Sequence, residues 1–162
     1  MTSISSLLNK PIADTDILKV IDTNVLRYSK LKNVNNIDDI LKNDSVVILI
    51  ENDKSDVGHW VCIVKRNNTL SFFDSYGRPP DPDMYLDGAH TYPYLSKLLL
   101  DSPYELEYSE YDYQKSGVST CGRHVIVRII MKDKSLEDYH KFMTSFKNDD
   151  ALVSTITMMI KK

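Results

Sequence analysis

Ser45 to Glu51 constrains the fold more than any other segment, because Val46-Val47-Ile48-Leu49-Ile50 is apolar at every position. β-branched residues favour extended backbone, and side chains alternate across a strand, so this run predicts a strand buried on both faces. Gly58–Lys65 and Leu70–Asp74 are also strand-like. Arg66-Asn67-Asn68-Thr69 lies between them and supplies turn chemistry, so the pair predicts an antiparallel hairpin.

Helical periodicity surrounds these strands. Asp14 to Lys30 carries Ile17, Leu18, Ile21, Val25 and Leu26 at near-helical spacing and predicts one helix, and Asn36 to Leu41 predicts a second, short one. Tyr76 to Pro93 is rich in Pro, Gly and Asp and predicts a long irregular loop, a kind of segment that is commonly functional. Tyr94–Leu100 reads as a helix and Tyr104–Ser109 as an alternating strand. Helices follow over Thr120–Met131, after the capping-box-like Ser135-x-x-Asp138, and over Asp149–Ile160, whose apolar side carries Ala151, Leu152, Ile156, Met159 and Ile160. This order predicts an α+β fold, a mostly antiparallel central sheet flanked by helices. No repeat, low-complexity segment or linker divides residues 1–162, which read as one domain.

Composition removes several function classes. Hydrophobic residues make up 42% and charged residues 27%, which is globular and neither disordered nor fibrous. Twenty basic and 23 acidic residues leave a formal charge of −3, so bulk charge implies no nucleic-acid partner. The apolar runs fall far short of the roughly 20 residues of a membrane span, and Met1 to Leu8 lacks the pattern of a signal peptide. Two cysteines, Cys62 and Cys121, do not make a disulfide scaffold and fit a reducing, intracellular compartment.

Three segments carry groups capable of chemistry. The loop Gln114-Lys115-Ser116-Gly117-Val118-Ser119-Thr120 delivers Cys121 to the first turn of an apolar helix, where unpaired N–H groups and the helix dipole stabilise a thiolate. Gly122 then permits close approach of backbone or substrate. Taken alone, a free cysteine is more often a small buried hydrophobe. His59 starts one hairpin strand and Asp74 ends the other, so the hairpin brings them together, and an acid beside an imidazole fixes its tautomer and favours the imidazolium. The plain alternative is a strand-end histidine with a solvated aspartate. Gln114, seven residues before Cys121, is either an exposed loop residue or an amide that donates to an oxyanion together with the Cys121 N–H. Sequence spacing alone does not place Cys121 near His59.

His59-Trp60, Asp74 after Phe72-Phe73, Gln114, and Cys121-Gly122, in that order over about residues 58–130, resemble the adenovirus-protease/Ulp1-like cysteine proteases. Papain-like order, with Cys before His, is excluded. The Gln-x6-Cys-Gly spacing is more similar to the viral, adenain-like maturation proteases than to the SUMO proteases. The resemblance implies a papain-like superfold with permuted order and a cysteine peptidase in which Cys121 attacks the carbonyl, His59 is base and then acid, Asp74 orients His59, and Gln114 stabilises the oxyanion. It further implies that Trp60 and Gly122 border a narrow substrate channel favouring Gly or small residues, with Trp60 equally readable as a core aromatic. Expected substrates are viral structural precursors cleaved in the virion or host cytoplasm; the alternative is a ubiquitin-like protein released by a deconjugase. A non-catalytic binding module or an acyltransferase is the alternative of another class. The chain is shorter than most family members and lacks the basic excess of a DNA-activated protease, so no cofactor is implied.

Two other constellations compete. His59-x2-Cys62 and Cys121-x2-His124 mimic zinc spacing, but residues three apart on a strand point to opposite faces, which argues against a metal. His124 shares a helix face with Cys121 and is a second candidate base, with no partner acid evident in the sequence nearby. Tyr104, Tyr108, Tyr111 and Tyr113 alternate with Glu105, Glu107, Glu110 and Asp112, whose charges repel phosphate and favour a half-buried strand or a protein groove over base stacking.

Overall fold

The computed structural model describes residues 14–52, 55–81, 92–115 and 120–160. Strand β2 (Ser45–Asn52) lies inside a five-stranded sheet of order β1-β2-β3-β4-β5, with β1 over Asn24–Arg27, β3 over Ser55–Arg66, β4 over Thr69–Phe73 and β5 over Glu105–Tyr108. The apolar run behaves as its composition demands. Val46, Ile48 and Ile50 enter one core and Val47 the other, and all four are buried. Each side chain so buried contributes about 1.5–3 kcal/mol of hydrophobic stabilisation.

The predicted hairpin is β3 and β4, joined at Asn67-Asn68 with Asn67 at φ 55°. Asparagine tolerates this left-handed conformation better than most residues. The sheet centre is antiparallel, whereas β1 pairs β2 and β4 pairs β5 in parallel.

Five α-helices are described: α1 (Asp14–Val20), α2 (Tyr94–Leu100), α3 (Cys121–Ile130), α4 (Leu136–Thr144) and α5 (Asp149–Ile160). Helices α1, α3, α4 and α5 cover the sheet face that carries Val47, Trp60, Cys62, Val64 and Phe73. The other face carries Val61, Ile63, Leu70 and Phe72, and it packs against α2 and two short 3-10 segments, Tyr28–Asn33 and Ile37–Asp39. The fold is α+β, a sheet flanked by helices. Ser135 caps α4 by accepting the Asp138 N–H at 3.1 Å. No helix among the described residues is long and apolar enough to cross a membrane.

One expected helix is corrected. Asp14–Lys30 divides into α1, strand β1 and the start of a 3-10 turn. Val25 and Leu26 pair with Val47 and Ile48, because β2 is buried on both faces and its free edge needs a hydrogen-bonding neighbour. The expected short helix at Asn36–Leu41 is one 3-10 turn, opened by Asn36 accepting the Asp38 N–H. Most of the expected Tyr76–Pro93 loop, residues 82–91, lies outside the described residues.

The tyrosine-rich stretch is only partly a strand. Tyr104 receives Lys65 Nζ at 3.1 Å and donates to Asp38 at 2.8 Å. Tyr113 is buried, with its hydroxyl 2.8 Å from His140 Nδ1, while Tyr111 stacks on the His140 ring.

Candidate active site

The β3–β4 ladder places the histidine and the acid. Its last pair is Cys62 with Phe73. Three residues back along β3 stands His59, and one residue beyond the end of β4 stands Asp74. His59 Nε2 donates to Asp74 Oδ1 at 2.8 Å. Asp74 is fully buried, while the His59 side chain keeps 15% exposure. The Tyr76 N–H also donates to Oδ1, at 2.9 Å, and Arg78 Nε donates to Oδ2 at 3.2 Å. Burial, which opposes ionisation, is outweighed by His59, the Tyr76 amide and Arg78, so Asp74 sits below the usual carboxylate range.

Gly77 makes the tight exit from this acid possible. Its N–H donates to the Asp74 carbonyl at 2.8 Å, its φ is +73°, and a Cβ there would lie 2.8 Å from the Glu110 carbonyl oxygen. Only glycine fits that conformation without moving backbone.

Helix α3 supplies the thiol. Cys121 is its first residue, partly exposed, and lies within hydrogen-bonding reach of the His59 ring. With Nε2 engaged by Asp74, Nδ1 is the ring nitrogen left for the sulfur. Burial pushes the Cys121 thiol up, but the His59 hydrogen bond and charge and the backbone N–H groups of Trp60 and Gly122 bring it below its ordinary value. Burial likewise pushes His59 down, and Asp74 and Cys121 reverse that to about 9. A lowered thiol beside a raised imidazole favours a thiolate–imidazolium pair at neutral pH.

Gln114 is buried, 4% exposed, and its side-chain oxygen accepts the Ser75 hydroxyl at 2.6 Å. With Oε1 so engaged, Nε2 is the donor end of the group. The Gln114 N–H also donates to the Ser75 carbonyl at 3.1 Å. Ser75, next to Asp74, therefore links the acid and the amide. Neither Ser75 nor Arg78 is singled out by the sequence, since both lie in a turn without periodicity.

Trp60 is 7% exposed and belongs to the core between the sheet and α3, with its backbone amide beside the Cys121 sulfur. Gly122 is buried in the first turn of α3. His124 is fully buried, and the acid that the sequence did not reveal is Asp150, whose Oδ1 accepts from Nε2 at 2.9 Å. The missing partner is thus present, 26 residues away, and the imidazole facing Cys121 is that of His59. No group of three or more His, Cys, Asp or Glu residues with metal-holding geometry occurs among the described residues.

Cys62 is the other thiol. It is fully buried, and burial pushes it up to about 12, which leaves it unreactive at neutral pH. Cys62→Ala is expected to leave Cys121 alkylation within about threefold while costing about 1–2 kcal/mol of stability as a small cavity, read by alkylation kinetics and urea unfolding.

No family model matches the chain. Ulp1, a SUMO protease solved with its catalytic cysteine oxidised to a sulfinic acid, is similar at 18% identity over 97% of this chain and 80% of that one, with a TM-score of 0.49. The ASFV protease is similar at 14% identity and a TM-score of 0.47 over 86% of this chain, which spans 59% of that longer one. Uncharacterized protein V9 of Sputnik virophage is 34% identical over 164 residues, covering 91% of this chain and 94% of that protein. That extent of identity, over nearly the whole of both proteins, places the chain in the same family as the virophage protein.

Proposed function

We propose that this chain is a cysteine endopeptidase with Cys121 as nucleophile, His59 as base and acid, Asp74 as the group orienting His59, and Gln114 as an oxyanion donor. The observation that carries the reading is His59 held between the buried Asp74 carboxylate and the Cys121 thiol.

The chemistry follows from these groups. The Cys121 thiolate forms a C–S bond to a peptide carbonyl, and charge moves onto the carbonyl oxygen, where the Gln114 Nε2 and the Cys121 N–H donate. As the C–N bond breaks, the His59 imidazolium passes its proton to the departing amine, leaving a thioester. Neutral His59 then takes a proton from water, whose oxygen attacks the thioester and returns the thiolate. Asp74 stays ionised throughout and stabilises each imidazolium. Trp60 and Gly122 border the sulfur through their backbones, and close packing there fits a channel admitting Gly or small residues before the scissile bond.

The virophage relative supports a virus-encoded protein. The polypeptide substrates proposed for it are structural precursors processed during particle maturation in the virion or host cytoplasm. The whole chain, residues 1–162, is read as this one peptidase domain.

An electrophilic probe ending in Gly-Gly tests the reading. Labelling at neutral pH is expected at Cys121 and is expected to vanish in Cys121→Ala; an unlabelled wild type contradicts it. Cleavage of a peptide library supports the maturation role, and preferential cleavage of modifier conjugates transfers the site to a deconjugase.

The pH dependence has a definite sign. The active pair requires a deprotonated thiol and a protonated imidazole. Peptide turnover is therefore expected to rise through a pH below the ordinary thiol range and to fall as His59 loses its proton at about 9. A rate still climbing through pH 10 contradicts the assignment of His59 as the acid.

A further inference from the structure

We propose that Asp150 is a positioning residue that sets the spacing between Gln114 and Cys121, an inference that rests on the peptidase reading above. Asp150 is the second residue of α5 and 2% exposed, and its carboxylate receives three donors from the chain around the site. The Lys115 N–H donates to Oδ2 at 2.9 Å, the Thr120 hydroxyl to Oδ1 at 2.5 Å, and His124 Nε2 to Oδ1 at 2.9 Å. Lys115 directly follows Gln114, and Thr120 directly precedes Cys121. One carboxylate therefore ties the residue beside the amide donor to the residue beside the nucleophile.

Two further observations give the tie its direction. Thr120 stands at the N-cap of α3, where a threonine hydroxyl ordinarily accepts from the helix's own N–H groups, yet it makes no such cap bond. Asp150 takes up that hydroxyl, and the Gly122 N–H falls on the Cys121 sulfur. His124, three residues after Cys121 on the same helix, is fully buried, and its Nδ1 has no partner among the described residues. The bond to Asp150 orients that ring and fixes the first turn of α3 against α5. Burial pushes the Asp150 carboxyl up, and the bonds from His124, Thr120 and the Lys115 amide outweigh it, holding the group below its ordinary range.

An aspartate in the first turn of α5 also favours that helix on its own. The two roles separate by experiment, because a helix-starting aspartate acts on stability and a positioning one acts on the step that needs the oxyanion donors. Asp150→Asn and Thr120→Val are compared with the unaltered full chain in three measurements. These are hydrolysis of a fluorogenic peptide ending in Gly-Gly, affinity for a peptide aldehyde ending in glycinal, and the pH dependence of Cys121 alkylation by iodoacetamide. Alkylation displaces iodide at a saturated carbon and uses no oxyanion donor.

For Asp150→Asn, kcat is expected to fall about 100-fold with KM within about threefold, since a shift of about 1 Å in reacting groups has that effect. Aldehyde affinity falls about tenfold or more, and the alkylation profile stays in place. Thr120→Val removes one donor from the tie and is expected to show the same split at about tenfold in kcat; it decides the matter if Asp150→Asn does not fold. Turnover within threefold of the unaltered chain in the folded variants overturns the inference, as does alkylation falling in step with turnover. An unaltered chain that neither hydrolyses peptide nor alkylates at Cys121 overturns the peptidase reading itself.

Discussion

His59→Ala is expected to lower kcat/KM by about ten-thousandfold, the upper range for loss of a positioned acid–base group. Two effects combine. The thiol loses the hydrogen bond and the positive charge that oppose its burial, so its pKa climbs and the thiolate becomes scarce near neutrality. The departing amine also loses its proton donor. Steady-state hydrolysis and the pH dependence of Cys121 alkylation read the two effects separately, and the alkylation midpoint is expected to move upward. A folded variant losing less than tenfold in kcat/KM contradicts the role given to His59. His124 offers no substitute, because its ring is buried against Asp150.

Asp74→Ala is the second large effect. The carboxylate accepts from His59, the Tyr76 amide and Arg78, and its removal takes away the negative charge that the imidazole and the Arg78 guanidinium share. His59 stacks on Tyr76 at a centroid distance of 5.2 Å, and the Arg78 guanidinium lies 4.8 Å from the centroid of the same ring, so the cation stays close. A drop of about 100- to 1,000-fold in kcat is expected from the lost orientation and lost stabilisation of the imidazolium. The alkaline limb of the pH profile is expected to move down from about 9, because Asp74 is the main influence raising His59. Asp74→Asn keeps an acceptor without the charge and is expected to fall between wild type and Asp74→Ala. An unmoved alkaline limb in Asp74→Ala contradicts the coupling of these two residues.

The central strands and the site hairpin were legible because their information is local. Val46 to Ile50 can only be extended and covered on both sides, and Asn67-Asn68 marks the reversal that brings position 59 to position 74. The helices at Tyr94–Leu100 and Asp149–Ile160 follow from periodicity alone. Asp14–Lys30 misleads for the opposite reason. Val25 and Leu26 satisfy helical spacing, and the parallel pairing with Val47 and Ile48 that claims them is imposed from more than 20 residues away. The same remoteness hides Asp150 from a reading centred on His124, whereas Ser75 and Arg78, though close to Asp74 in sequence, lie in a turn whose residues carry no periodic signal. The proximity of Cys121 to His59 belongs in this class too, since it depends on α3 packing against the sheet through Val125, Ile126 and Ile129.

The most direct measurement is the pH dependence of iodoacetamide modification at Cys121, followed residue by residue by mass spectrometry with the buried Cys62 as internal reference. A midpoint well below the ordinary thiol value, lost in His59→Ala, is expected if imidazole and sulfur form an ion pair. A midpoint at about 8.5, the value of an unperturbed cysteine, and unchanged in His59→Ala contradicts it.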